Sequence, residues 1–171
     1  MAKNQPKNVK QTKASAVEIM YTLFLGMLIA LFFGLGVSAF YTSPKEPEYP
    51  TVLSVSSFKE CVMSQEQIDA QKKYDQEMRS FQADFSTYNR NVSMITLGLA
   101  VIAMVLSLLF LENIRVLSNG ALLGGVFTLA YSIIRGFMAD DTKYRFIIVT
   151  VGLLITLALG YIKFIKPKTE K

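Results

Sequence analysis

Arg135, Asp140, Asp141, Lys143 and Arg145 are ionisable side chains gathered into one short segment between two apolar runs. Arg135, Asp140, Asp141 and Arg145 have the chemistry for an ion or a lipid headgroup. The simpler use is charge pairing that closes a tight helical hairpin, contributing about 0 to 1 kcal/mol per exposed pair. Other reactive chemistry is thin. The chain holds one Cys, Cys61, and no His, so zinc ligation is not expected and no internal disulfide forms. Cys61 is then a free thiol or a link to a second copy. No nucleotide-binding loop, nucleophile elbow, metal-ligand spacing or paired intramembrane carboxylate occurs, which argues against an enzyme and assigns no catalytic, metal or cofactor residue.

A second pattern is structural before it is chemical. Tyr74, Met78, Phe81, Phe85, Tyr88, Val92, Ile95 and Leu99 recur at alternating steps of four and three, the spacing of a heptad seam. Ser64 and Gln67 match a capping box just upstream, with Met63 and Ile68 at the positions of a hydrophobic staple. No Pro or Gly interrupts the chain from Gln65 until Gly98. The expectation is one helix from about Gln65 to about Leu111, on the order of 70 Å long, with roughly 40 Å of it outside the membrane. An aromatic stripe in water needs a cover. Val52, Leu53, Val55 and Phe58 supply one if the preceding segment folds back. A second copy or a different subunit supplies another, which makes Tyr74, Met78, Phe81, Phe85 and Tyr88 a candidate partner or self-association face.

The elements that position these residues follow from how 171 residues distribute their apolar content. Hydrocarbon about 30 Å thick needs roughly 20 apolar residues in helical form. Four stretches fit: residues 16–41, 92–112, 119–138 and 146–165. The expected fold is an all-α integral membrane protein, a four-transmembrane-helix bundle with span two extended outward as a long helical stalk. Residues 42–63 form an external linker, with Pro44, Pro47 and Pro50 at every third position suited to an extended strut. Thr51 to Phe58 reads as a brief strand or irregular. Residues 64–91 form the external helix continuous with span two. Gly120 and Gly124 make a GxxxG that lets helix backbones approach, within one chain or between two.

Charge sets the orientation. The tail of residues 1–15 carries Lys3, Lys7, Lys10 and Lys13 without an acid, and residues 166–171 carry Lys166, Lys168 and Lys171 against Glu170. Both tails belong in the cytoplasm by the positive-inside bias, with the 42–91 segment and the Arg135 to Arg145 turn outside a plasma membrane. The net charge of +5 is thereby accounted for without nucleic acid. Glu18, Glu112, Arg115, Arg135 and Lys163 all fall at span ends, leaving no charge at mid-bilayer where pumps and transporters place one. The layout is similar to that of the four-span subunits of certain ABC-type systems, which insert an external domain after the first span; the likeness is of topology and carries no shared motif. The function expected is that of a non-catalytic structural or interaction subunit, in contact with membrane lipid and with another membrane protein or a second copy. The alternative is a transport or channel component that lines a path only when assembled with other subunits.

Overall fold

The computed structural model describes residues 16–54, 64–110 and 114–165. In order they form α1 (Ala16–Phe40), a single turn α2 (Thr51–Ser54), α3 (Gln65–Phe110), α4 (Arg115–Phe137) and α5 (Thr142–Gly160), which runs into a π turn at Tyr161–Ile165. Helices α1, α3, α4 and α5 are each long and apolar enough to cross a membrane. The chain is a multi-span helical membrane protein.

Helix α3 is 46 residues long and uninterrupted, including across Asn89 to Ser93. At 1.5 Å per residue it measures about 70 Å, more than twice the roughly 30 Å of hydrocarbon, so its polar N-terminal half stands clear of the bilayer. Its start is chemically defined. The Gln67 amide donates to Ser64 Oγ at 3.3 Å while the Ser64 amide donates to Gln67 Oε1 at 3.0 Å, a reciprocal cap that satisfies two otherwise orphaned donors. Met63 of the expected staple lies outside the described residues.

One element departs from the sequence reading, and two helices begin ahead of the expected spans. Thr51–Ser54 is a helical turn, not a strand: the Leu53 amide donates back to the Pro50 carbonyl at 3.0 Å, and local turn chemistry after proline overrides the β-branched composition. Helix α4 begins at Arg115 instead of Asn119, because nothing breaks the chain there and Ser118 already bonds within the helix to the Ile114 carbonyl at 2.9 Å. Helix α5 begins at Thr142 instead of Phe146, where Asp141 caps it by accepting from the Lys143 and Tyr144 amides at 2.9 and 3.3 Å.

Within the membrane part α4 is the hub, packing along both α1 and α3, while α5 leans on it more lightly. The cause is the arrangement of its small residues. A Cβ at Gly120 would stand 2.6 Å from Leu25 Cδ2 and one at Gly124 would stand 2.7 Å from Ile29 Cβ, so both face α1. A Cβ at Gly125 would collide with Met104 and lie 3.2 Å from the Ala100 carbonyl, so that glycine faces α3. One at Gly136 would meet Ile148 of α5 at 2.9 Å and Ser93 Oγ at 3.0 Å.

The α3 to α4 contact has a regular register. Ser86, Ser93, Ala100 and Ser107 follow one another at seven-residue steps up α3, and Ala139, Ser132, Gly125 and Ser118 descend by the same step along α4 and its C-terminal turn. Two pairs lock reciprocally. Ser93 Oγ donates to the Ser132 carbonyl at 2.8 Å and Ser132 Oγ to the Ser93 carbonyl at 2.7 Å. Ser107 Oγ donates to the Ser118 carbonyl at 2.6 Å and Ser118 Oγ to the Ser107 carbonyl at 3.2 Å. Between them Gly125 sits against Ala100. A two-turn repeat returns to one helix face, and small side chains let backbones close in where lipid supplies no hydrophobic drive.

Inside the membrane the heptad seam is only partly kept as a packing face: Val92 and Leu99 stay with the cluster around Tyr88, but Ile95 does not. Val92 is 1% exposed, but Ile95, the next seam position, is 45% exposed, and its neighbour Thr96 is fully covered. The inward face moves to the small and hydroxylated residues because a large aliphatic side chain is as well solvated by lipid as by protein.

Valine at Gly125 should weaken the protein far more than valine at Gly98 or Gly36, where a Cβ would meet nothing within 4 Å. Equilibrium unfolding in mixed detergent micelles measures this. Overpacking at Gly125 is expected to cost about 1 to 3 kcal/mol, with the other two near the wild type.

Candidate functional site

Sequence proximity groups Arg135 with Asp140, Asp141 and Arg145. The structure divides them. Asp140 lies 3.8 Å from Arg145 in a largely exposed pair, Asp141 serves as the α5 cap, and Arg145 Nε donates to the Ala139 carbonyl at 2.8 Å. These close the hairpin. The hairpin in turn docks on α3: the Asp140 amide donates to Ser86 Oγ at 2.7 Å, and Tyr144 Oη to the Arg90 carbonyl at 3.1 Å.

Arg135 turns away from this group toward the base of the stalk. Its Nη1 donates to Asn89 Oδ1 at 3.0 Å and its Nε to Tyr131 Oη at 2.9 Å. The guanidinium carbon stands 5.8 Å from the Tyr88 ring centre and 5.4 Å from that of Tyr131. Asn89 is itself oriented, since its Nδ2 donates to the Phe85 carbonyl at 2.8 Å and leaves Oδ1 for the arginine. Asn89 is fully buried, and Arg135 is half-buried. Among the described residues no carboxylate lies within ion-pairing distance of Arg135.

A cation at the membrane edge without a carboxylate needs other support. Each aromatic face contributes about 0.5 to 2 kcal/mol, and the position in the last turn of α4 adds a favourable dipole of about 0.3 to 1 kcal/mol. The result is a fixed positive charge where the stalk leaves the spans.

The candidate association face of the stalk converges on the same point. Phe81 stacks on Phe85 at 5.5 Å between ring centres and Phe85 on Tyr88 at 6.3 Å. Tyr41, at the exit of α1, stacks flat on Tyr88 at 5.3 Å, and Asn91 Nδ2 holds Tyr41 Oη at 2.8 Å. Higher up, Tyr49 meets Tyr74 edge-on at 5.3 Å, and Gln67 Nε2 reaches the Val52 carbonyl at 3.4 Å, with Leu53 buried. The linker thus pins the stalk at two levels. Tyr74, Met78, Phe81 and Phe85 stay half-buried and only Tyr88 is buried. Val55 and Phe58, the other expected cover, lie outside the described residues, as does Cys61. Gly120 and Gly124 are at the far side of the hub, engaged with α1.

Beside Arg135 an open groove of about 440 Å³ runs between α1 and α4, lined among others by Ala30, Gly34, Ser38, Phe127 and Tyr131, with Arg135 at its stalk end. Among the described residues no group of three or more His, Cys, Asp and Glu is placed to hold a metal ion. Sequence reasoning passed over Asn89, Tyr131 and the four interlocking serines. Of these only the serines carried a signal, their fourteen-residue spacing along each helix.

No protein-family model, curated protein or solved structure matches the chain.

If Asn89 and Arg135 act as a unit, their substitutions are not additive. Asn89→Ala and Arg135→Gln are each expected to cost about 1 to 3 kcal/mol, and the double variant less than their sum by more than about 0.5 kcal/mol in equilibrium unfolding. Simple additivity would show that the two side chains do not depend on each other.

Proposed function

We propose that the protein is a non-catalytic subunit of a plasma-membrane complex, with both tails in the cytoplasm and the α3 stalk outside, where its aromatic edge meets another membrane protein or a second copy. The observation that carries this reading is the 46-residue helix itself. A rod that continues from the spans into water without a break delivers a contact at a fixed height above the bilayer. Its seam is covered by the described linker only at Tyr74 and Tyr88, and the stretch between them stacks mainly on its own helix. Contiguous half-exposed aromatic surface of this kind marks a site of association.

The orientation rests on the lysine-rich tails and on the weak acidity of the segment between α1 and α3. The half-buried arginine is bonded to neutral groups that show no nucleophile paired with a base, which favours holding over reacting.

A membrane-impermeant, thiol-directed photocrosslinker tests orientation and contact together. In a Cys61→Ser background, Met78→Cys and Glu77→Cys should both label in intact cells, and only Met78→Cys should yield a discrete crosslinked species on illumination. Labelling confined to broken cells would reverse the topology, and equal crosslinking from both positions would remove the seam as the contact face.

A further inference from the structure

The groove between α1 and α4 combines two features that rarely need the same occupant. Its walls are largely apolar over the twelve residues from Met27 to Ser38 of α1, a length of about 16 Å along the helix. Its stalk end is closed by a guanidinium whose described partners are all neutral. Arginine carries five N–H donors. Nε and one donor of Nη1 are engaged, and Nη2 makes no hydrogen bond to any described residue. Ser38, also at that end, adds an exposed hydroxyl.

We propose that this groove is a lipid site, in which an anionic phospholipid of the stalk-side leaflet lays an acyl chain between α1 and α4 and sets its phosphate on the free edge of Arg135. Charge complementarity selects the occupant. A neutral helix from a second protein would fill the apolar walls but leave the cation uncompensated. A free anion would answer the cation but leave the apolar trough to other molecules. A phosphodiester with a hydrocarbon tail satisfies both, and arginine's planar fork matches phosphate oxygens in pairs. The volume, about 440 Å³, falls within the range of roughly 300 to 1,000 Å³ usual for small-ligand sites. The site also couples to the stalk: Arg135 is shared between the lipid and Asn89 and Tyr88 of α3, so an anionic head would bear on the point from which the stalk rises. This inference is independent of the contact proposed for the stalk, and its test reads lipid and not protein neighbours.

The purified full-length protein, stripped of lipid in mild detergent and offered equal amounts of phosphatidylglycerol and phosphatidylcholine of identical chains, is analysed by native mass spectrometry. The wild type should retain one phosphatidylglycerol in roughly tenfold preference. Arg135→Gln should reduce the preference to parity, Arg135→Lys should keep part of it, and Arg145→Gln should keep it whole. Ala30→Phe, which fills the trough without touching the arginine, should reduce retention of both lipids, and it carries the test alone if Arg135→Gln does not fold. Parity in the wild type, an undiminished preference in Arg135→Gln, or a lipid-free dimer that Ala30→Phe dissociates would each overturn the proposal. Displacement of the lipid by glycerophosphate at matching concentration would also overturn it, because the acyl chain would then contribute nothing.

Discussion

The structure depends on how closely α3 and α4 approach. Lipid tails solvate leucine as well as protein does, so two membrane helices gain little by hiding aliphatic surface from one another. What holds them is close backbone contact and hydrogen bonds that have no other partner nearby. The Ser93 to Ser132 and Ser107 to Ser118 pairs supply the bonds, each hydroxyl answering the carbonyl opposite. Gly125, with no room for a Cβ against Met104 and Ala100, supplies the proximity. Interhelical bonds of this kind contribute about 0.6 kcal/mol each on average and at most about 1.7, so the four together contribute about 2 kcal/mol.

Register follows from that lock, and the remaining geometry follows from register. Had α3 slipped by one turn, Arg135 would face no amide, Ser86 would not meet the hairpin amide of Asp140, and Tyr88 would leave the flat stack with Tyr41. The base of the stalk is therefore clamped on several sides, by α1 through Tyr41, by α4 through Arg135 and by the hairpin before α5 through Asp140 and Tyr144. Among the described residues every buried side-chain nitrogen or oxygen has a partner, as an apolar solvent demands. A rigid base is what permits a long helix to present its far end at a defined height.

Local rules made much of this legible. The Ser64 cap, the absence of Pro and Gly up to Gly98 and the four apolar runs belong to neighbouring residues, and each appears in the helices as the residue types require. The aromatic seam was legible in water, where greasy residues turn inward, and it failed at Ile95, where the solvent changes to lipid and the same residue turns outward. The membrane interface was also written in the chain, as Ser86, Ser93, Ala100 and Ser107 mirrored by Ser118, Gly125, Ser132 and Ala139 about the turn between them. A search for apolar periodicity passes over it because small and polar residues mark that face. The pairing of Arg135 with Asn89 was not legible at all. Sequence proximity placed the arginine beside Asp140 and Asp141, whereas the antiparallel register carries it to a residue 46 positions away.

The most direct measurement of this account is disulfide trapping of the α3 to α4 register, in native membranes and a Cys61→Ser background. The pairs Ser93→Cys with Ser132→Cys and Ser107→Cys with Ser118→Cys, whose oxygens stand 3.4 and 3.5 Å apart, should close rapidly under mild oxidation. Pairs displaced by one turn, Ser93→Cys with Thr128→Cys and Ser107→Cys with Leu122→Cys, should remain reduced. Comparable closure in both sets would mean that the helices slide, and a stalk with no fixed base would contradict the account at its root.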